Sequence, residues 1–410
     1  GYGGAVAVLI DGAASERTLA LTMENCEFLD NQYISNGGAL YTAINNSRSN
    51  PTFNITINNS QFTNNKPQGN GGIGGALNLG NLASGEATLN IQNTGITGSE
   101  ANGSYGAAIY AEKTQVTLTN VHINDNRTTG DGAVYLKEGS LTVQNSEFKQ
   151  NTASNGGAVY LTKPESCVFQ TTTFDGNQST STSTFASNGG GAVLITSIPK
   201  NAEIQFVDIT AINNTAKRNG GAISMNASGS NEIHAEISGR IENNTADANG
   251  GGLYIGKIKN TTLTNAVITG NTANKTSSGV GGGIYLAPLS GAVLNLNDGT
   301  HIYRNATPQD TMTNSQAGAV GATSEILVAN TSSAKAAINI ADSVYKTETE
   351  DAVYTLTLYT QKNLKDKQYQ GYYSTVEVPT RIYLASDAAF HKNENDIVAK
   401  TLAEAAQAAQ

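Results

Sequence analysis

Apolar and polar residues alternate strictly in short runs along most of the chain, as in Leu141-Thr142-Val143-Gln144-Asn145 and Val116-Thr117-Leu118-Thr119-Asn120. A period of two puts successive side chains on opposite faces of a strand, one face buried and one exposed. Helical spacing is absent until Ile397 to Gln410, a stretch rich in Ala, Glu and Gln that reads as a helix. The alternating runs sit inside a repeat. A Gly pair, a small residue and a short apolar strand recur as Gly37-Gly38-Ala39-Leu40-Tyr41, Gly156-Gly157-Ala158-Val159-Tyr160 and Gly281-Gly282-Gly283-Ile284-Tyr285, with weaker copies at Gly106-Ala107 and Asp131-Gly132. The second position of the pair runs from 4 to 318 in ten intervals that average 31.4 residues, the shortest being 25. Between copies lies a second motif, an apolar residue three before Asn, as in Phe28/Asn31, Phe62/Asn65, Phe148/Asn151 and Ile268/Asn271. Three residues earlier Asn returns at 25, 59, 93, 120, 145 and 265, with Thr171, Asp208 and Ser238 in its place elsewhere.

Strands this short, repeated this often, predict a solenoid. Twenty-five residues make a path of roughly 80 Å at about 3.3 Å per residue, enough for one coil of three sides with corners. Coils stacked about 4.8 Å apart pair every strand in parallel with its copies above and below, which satisfies the backbone without hairpins. The expected fold is an all-β parallel β-helix of about eleven coils. Val134 and Leu136 then point into the core and Tyr135 outward, Gly supplies corner conformations closed to other residues, and Asn tolerates a left-handed corner while its amide bonds the Asn one coil away. The polar insertions Ser179 to Ser187 and Asn274 to Val280 are expected to leave one corner as loops.

Composition agrees and narrows the partners. The 44 Gly and 47 Asn are corner residues repeated coil after coil, and the 14 % of charged residues reflects outward positions filled by Thr, Asn, Ser and Tyr. With 24 basic and 33 acidic residues, a net charge of -9 and no basic cluster, nucleic acid is not an expected partner. No run approaches the roughly 18 apolar residues of a membrane helix. The chain opens inside a motif, Gly1-Tyr2-Gly3-Gly4-Ala5-Val6, and so reads as a processed or excised piece. Cys26 and Cys167 fall five coils apart, roughly 24 Å at 4.8 Å per coil, too far for a disulfide. Two free thiols are expected.

The paired motifs, most clearly Gly156-Gly157-Ala158-Val159 with Phe148-Lys149-Gln150-Asn151, resemble the repeats of chlamydial polymorphic outer membrane proteins and similar adhesin-like proteins, over about residues 1 to 320. The resemblance implies a right-handed, pectin-lyase-like β-helix, commonly an autotransporter passenger, acting in adhesion outside the cell. Both motifs stop after Val320. The β-helix domain is expected over 1–345, since 326–340 still alternates enough for one more coil. Residues 346–410 are read as a C-terminal cap or small adjoining module, with strand-like Val353 to Tyr359 and Thr380 to Leu384 and then the helix.

Chemistry-bearing constellations are thin. A pectin-lyase-like fold hosts polysaccharide lyases and hydrolases, but the sequence has no Asp-Asp pair and no Gly-His-Gly, and its acids do not repeat at matching strand positions. Asp125, Asp131 and Arg127 lie close together and read as loop residues; His122, His234, His301 and His391 are too dispersed to share a metal, and neither Cys has a ligand-spaced neighbour. No catalytic residue, metal or cofactor is expected. What remains is a row of tyrosines at one repeat position, Tyr41, Tyr110, Tyr135, Tyr160, Tyr254 and Tyr285. Facing outward, they form an aromatic stripe that stacks sugar rings or seats a protein; equally, they form a stabilising ladder between coils or lie under an insertion loop. The sequence is therefore read as a non-enzymatic, cell-surface or secreted adhesin whose β-helix is a rigid stalk and binding face for a host or neighbouring-cell protein or glycan. A polysaccharide lyase or glycoside hydrolase, and an extracellular fibre subunit that associates end to end, are the alternatives.

Overall fold

The structure, a computed structural model, describes residues 4–307 apart from 11–17, 35, 45–51, 70–71, 81–86, 104, 184–187, 228, 230–232, 275–278 and 304. Beyond 307 it describes the strand backbones Ile326–Val328, Ala336–Ile340, Tyr354–Thr360, Tyr369–Tyr373, Arg381–Leu384 and Phe390–His391. The helix expected over 397–410 and the Gly pair copy at 318 lie outside the described residues. Among the described residues none is helical, so no helix is long and apolar enough to cross a membrane.

The chain is a parallel β-solenoid. On the first face, Val6–Ile10 pairs in register with Leu40–Ile44, and the stack continues through Leu77–Leu79 to Ile284–Leu286 and Ile326–Val328. The second face stacks Thr18–Glu24, Thr52–Asn58, Ala87–Gln92 and their successors up to Ala336–Ile340. In the most regular coils these two faces are one long bent strand, Ile109–Thr119, Val134–Gln144 and Val159–Gln170, and the bend falls at Lys113, Glu138 and Lys163, with φ of 49°, 60° and 53°. A left-handed corner follows at Asn120, Asn145 and Thr171, and cuts off a third face of three-residue rungs that carries the Phe/Asn motif. Ten such rungs, from Glu27–Leu29 to His301–Tyr303, enclose about nine complete turns. A fourth segment of two-residue strands, Glu100–Ala101 to Thr272–Ala273, forms a seven-stranded sheet of its own. The expected three sides are therefore four segments, because the Asn row and the residue before the second Asn each turn the chain. Near the C-terminus Arg381–Leu384 and Phe390–His391 pair in parallel with Ile326–Val328 and Ala336–Ile340, and Tyr354–Thr360 pairs antiparallel with Tyr369–Tyr373.

Alternation decides what is inside. In one coil Val134, Leu136, Leu141, Val143 and Phe148 are all buried in a single apolar cluster that runs the length of the solenoid, and the tyrosine between Val134 and Leu136 is not part of it. Phenylalanines stack from coil to coil, with Phe28 and Phe62 4.7 Å apart and Phe148 and Phe174 5.1 Å apart. Cys167 sits in this core between Leu141 and Ile204, while Cys26 lies in the first coil; both thiols are free.

The two glycines of the pair have different duties. Gly37 adopts φ of 66°, which Cβ-bearing residues resist, whereas a Cβ on Gly38 would lie 1.9 Å from the Gly75 carbonyl of the next coil. The corner Asn row meets both expectations, since Asn59 donates to Asn25, and Asn120 donates to Asn93 at 3.1 Å, but a second row bonds more extensively. Asn25, Asn59, Asn93, Asn120 and Asn145 take the left-handed conformation at an exposed corner. The Asn of the Phe/Asn motif is buried, and the residue before it makes the turn, as Asp125 and Gln150 do before Asn126 and Asn151. Freed from the turn, that Asn builds a column: Asn126, Asn151, Asn177, Asn214, Asn244 and Asn271 each donate from Nδ2 to the Oδ1 of the next, at 2.9–3.1 Å. The column is interrupted at Ser99, whose buried hydroxyl has no hydrogen-bond partner.

Candidate functional site

The tyrosine row lies on the first face, one residue in two along strands whose other residues fill the core. Register places Asn78 between Tyr41 and Tyr110, and Leu194 and Ser224 between Tyr160 and Tyr254. The row is thus two stacks. Tyr110, Tyr135 and Tyr160 lie with ring centroids 5.4 and 5.2 Å apart and interplanar angles of 7° and 10°. Tyr254 and Tyr285 stack at 5.2 Å and 7°. A 4.8 Å coil spacing makes this inevitable for aromatic rings at one position in register. The rings point away from the core, yet they are hardly exposed; Tyr135 shows only 7 % of its surface.

Part of the cover is Tyr105, which the repeat pattern does not single out because it precedes the Gly pair in a polar turn. Its ring stacks on Tyr135 at 4.5 Å and lies 6.3 Å from Tyr110, and it remains 39 % exposed. An aromatic residue in a turn otherwise made of Asn, Gly and Ser was the available signal. Four rings therefore form one slab, with Tyr105 presenting it to solvent.

Charged groups rim the slab. The Tyr110 hydroxyl donates to the Glu112 carboxylate, which also pairs with Lys137 at 3.3 Å. The Asp131 charge is near enough to Tyr135 and Tyr160 to help raise both hydroxyls, and the Asn155 amide donates to the carboxylate at 2.9 Å. Burial pushes the Asp131 carboxyl up, with that hydrogen bond partly offsetting it. Burial likewise raises the hydroxyls of Tyr110, Tyr135 and Tyr160, reinforced at Tyr110 by Glu112, so these three stay protonated. The Thr196 hydroxyl bonds that of Tyr160 at 3.2 Å. The arrangement offers a flat apolar surface beside anionic acceptors and one cation, suited to holding a ring or a side chain.

The acid–base candidates are dispersed. Asp125 occupies an exposed left-handed corner, and Arg127 belongs to the two-residue strand Arg127–Thr128, while the Asp131 carboxylate accepts from Asn155. His122 approaches Glu147 at 3.8 Å. Among the described residues no group of His, Cys, Asp and Glu is placed to hold a metal ion.

A family model described as the Chlamydia polymorphic membrane protein repeat matches residues 145–162. That segment holds one complete set of the structural devices above: the Asn145 corner, the Phe148/Asn151 rung, the Gly156-Gly157 turn and the strand residues Val159, Tyr160 and Leu161. This short match and the stacked solenoid fit a polymorphic-membrane-protein-like β-helix repeat protein. The repeat extends in register well beyond the matched residues, because equivalent strands pair coil after coil on either side of them. No curated protein and no solved structure matches the chain.

Proposed function

We propose that this polymorphic-membrane-protein-like chain is a non-enzymatic, surface-exposed adhesin, extracellular or anchored at an outer membrane. The solenoid is the rigid stalk, and the face carrying Tyr105, Tyr110, Tyr135 and Tyr160 recognises a protein or glycan on a host or neighbouring cell. The observation that carries the reading is the exposed Tyr105 ring seated on three stacked rings, with Glu112 and Lys137 beside it. Rigid aromatic groups bring large contact area with little conformational entropy to lose. The slab is also held by strands paired on both sides, so a ligand does not have to order it. Kinship of the repeat with membrane proteins supports display at a cell surface. Tyr41, Tyr254 and Tyr285 lie on the same face but apart from the slab, separated from it by Asn78 on one side and by Leu194 and Ser224 on the other.

Beads coated with the chain test the proposal on epithelial monolayers. Saturable attachment that soluble chain competes away is expected. Attachment no greater than that of albumin-coated beads would overturn the reading, as would sustained product release from polyuronides or neutral glycans.

A further inference from the structure

The second face carries a defect in its repeat. Between Phe206 and Ile209, and again between Leu263 and Ala266, two residues turn the corner; in the coil between them only Ser238 separates Ile237 from Gly239, and the pairing register shifts on both sides. One residue is missing from this coil. Gly239, at φ of 102°, closes the shortened corner where a Cβ would sit 2.2 Å from the Ile209 carbonyl, and the Ser238 hydroxyl accepts the Asp208 amide at 2.8 Å.

The missing residue leaves a notch. A cavity of about 450 Å³ lies between Asp208 and Asn265, floored by Ser238 and Thr262 and bounded by Asn297. It meets, at Glu236, a second cavity of about 370 Å³ that runs over Gln205, Glu203 and His234 to the Asn201 turn. Each lies within the range of about 300–1,000 Å³ found for ligand sites. Together they make a groove across four successive coils, about 14 Å along the axis at 4.8 Å per coil. The polar residues Glu203, Gln205, His234 and Glu236 occupy alternate strand positions and so face outward, with Glu203 beside His234 and Gln205 beside Glu236, and apolar residues such as Ile204 and Val207 complete the lining.

We infer that this groove binds a short oligosaccharide that carries no acidic groups. The lining mixes carboxylates, which only accept, with amides and hydroxyls, which donate and accept; a run of sugar hydroxyls needs both, whereas a purely cationic ligand would leave the donors unused. A carboxylate accepts a pair of vicinal hydroxyls in charge-assisted hydrogen bonds. Glu203, Asp208 and Glu236 with no Lys or Arg in the lining repel uronic and sulfated chains. An extended peptide gains little here, because the strands beneath are paired on both sides and offer no free backbone edge. The groove is separate from the tyrosine slab, which lies on the first face.

Calorimetry of the full chain with cellohexaose, chitohexaose, hexagalacturonate and oligolysine tests the inference. Binding of a neutral or N-acetylated hexasaccharide is expected, weakened at least tenfold by Glu236→Gln and by inserting one Asn after Ser238, which restores the regular corner and fills the notch. Tyr105→Ala leaves that binding unchanged, so failure here is distinct from failure of the adhesin reading. Circular dichroism melting of each variant checks folding. Neither neutral sugar binding, hexagalacturonate binding as tightly, both groove variants retaining wild-type affinity, or oligolysine being the only probe bound would overturn it.

Discussion

Replacing Asn177 by alanine tests the buried amide column that joins the coils. Asn177 is fully buried; its Oδ1 accepts the Asn151 backbone amide at 3.1 Å and Asn151 Nδ2 at 2.9 Å, and its Nδ2 donates to Asn214 Oδ1 and the Phe148 carbonyl, both at 2.9 Å. Truncation removes these partners from the Asn151 amide, one hydrogen of its side chain and the Phe148 carbonyl. A buried polar group stripped of its partner costs about 1–3 kcal/mol, so the variant loses about 3–6 kcal/mol after partial relaxation. At about 2.1 cal/mol/K per residue over about 300 residues, a solenoid that melts as one unit shifts down by roughly 5–10 °C. Far-UV circular dichroism melting with a parallel urea titration reads the change. Asn145→Ala is the control: Asn145 is an exposed corner at φ of 48°, and alanine there costs only about 1–2 kcal/mol of left-handed strain. Ser99→Asn, which supplies the absent member of the column, shifts the melt upward. An Asn177→Ala protein within about 1 kcal/mol of wild type, or no more damaged than Asn145→Ala, would refute the reasoning.

Three further outcomes follow from burial and charge. Cys26 reacts with a thiol reagent in the native protein, whereas Cys167, fully buried and with its thiol pushed up by desolvation, reacts only on unfolding; mass spectrometry after timed labelling separates them. Asp131 is raised by burial, so its contribution is fully present below the ordinary carboxylate range and is lost as pH rises through its folded value. Asp131→Asn therefore melts higher than wild type at neutral pH, and the difference closes on acidification. Burial against Tyr285 pushes Tyr254 from 10.0 up to about 12, so stability present below pH 10 falls between those values, and Tyr254→Phe flattens that fall in melts across the same window.

The solenoid was legible because its signals are local and repeated. Alternation places Val134 and Leu136 in the core, and the Gly pair and Phe/Asn motif recur in step with the coils. The sequence does not say how outward residues are covered. Tyr135 alternates as an exposed residue should, but rings one coil apart bury each other and Tyr105 closes over them, a contact between a turn and a strand that no period encodes. The two Asn rows look alike in composition, and only the backbone shows that one turns the chain at an exposed corner while the other is buried beside its turn. The groove was hidden for a related reason. Ser238 reads as one more substitute in the Asn row, whereas in three dimensions it stands alone where its neighbours have two residues, and a one-residue shortening becomes a cavity only when regular coils are stacked on either side.

Recognition through the Tyr105-capped slab is tested most directly by Tyr105→Ala in the bead attachment assay, with melting measured on the same preparations. Tyr105 is the outermost ring and lies in a turn, so its removal leaves the strand ladder intact. The account predicts at least a tenfold fall in attachment with a melting curve that overlays wild type, consistent with the loss of about 1.4 kcal/mol or more from a hot-spot aromatic. Attachment that persists undiminished in this variant, at unchanged stability, would contradict it.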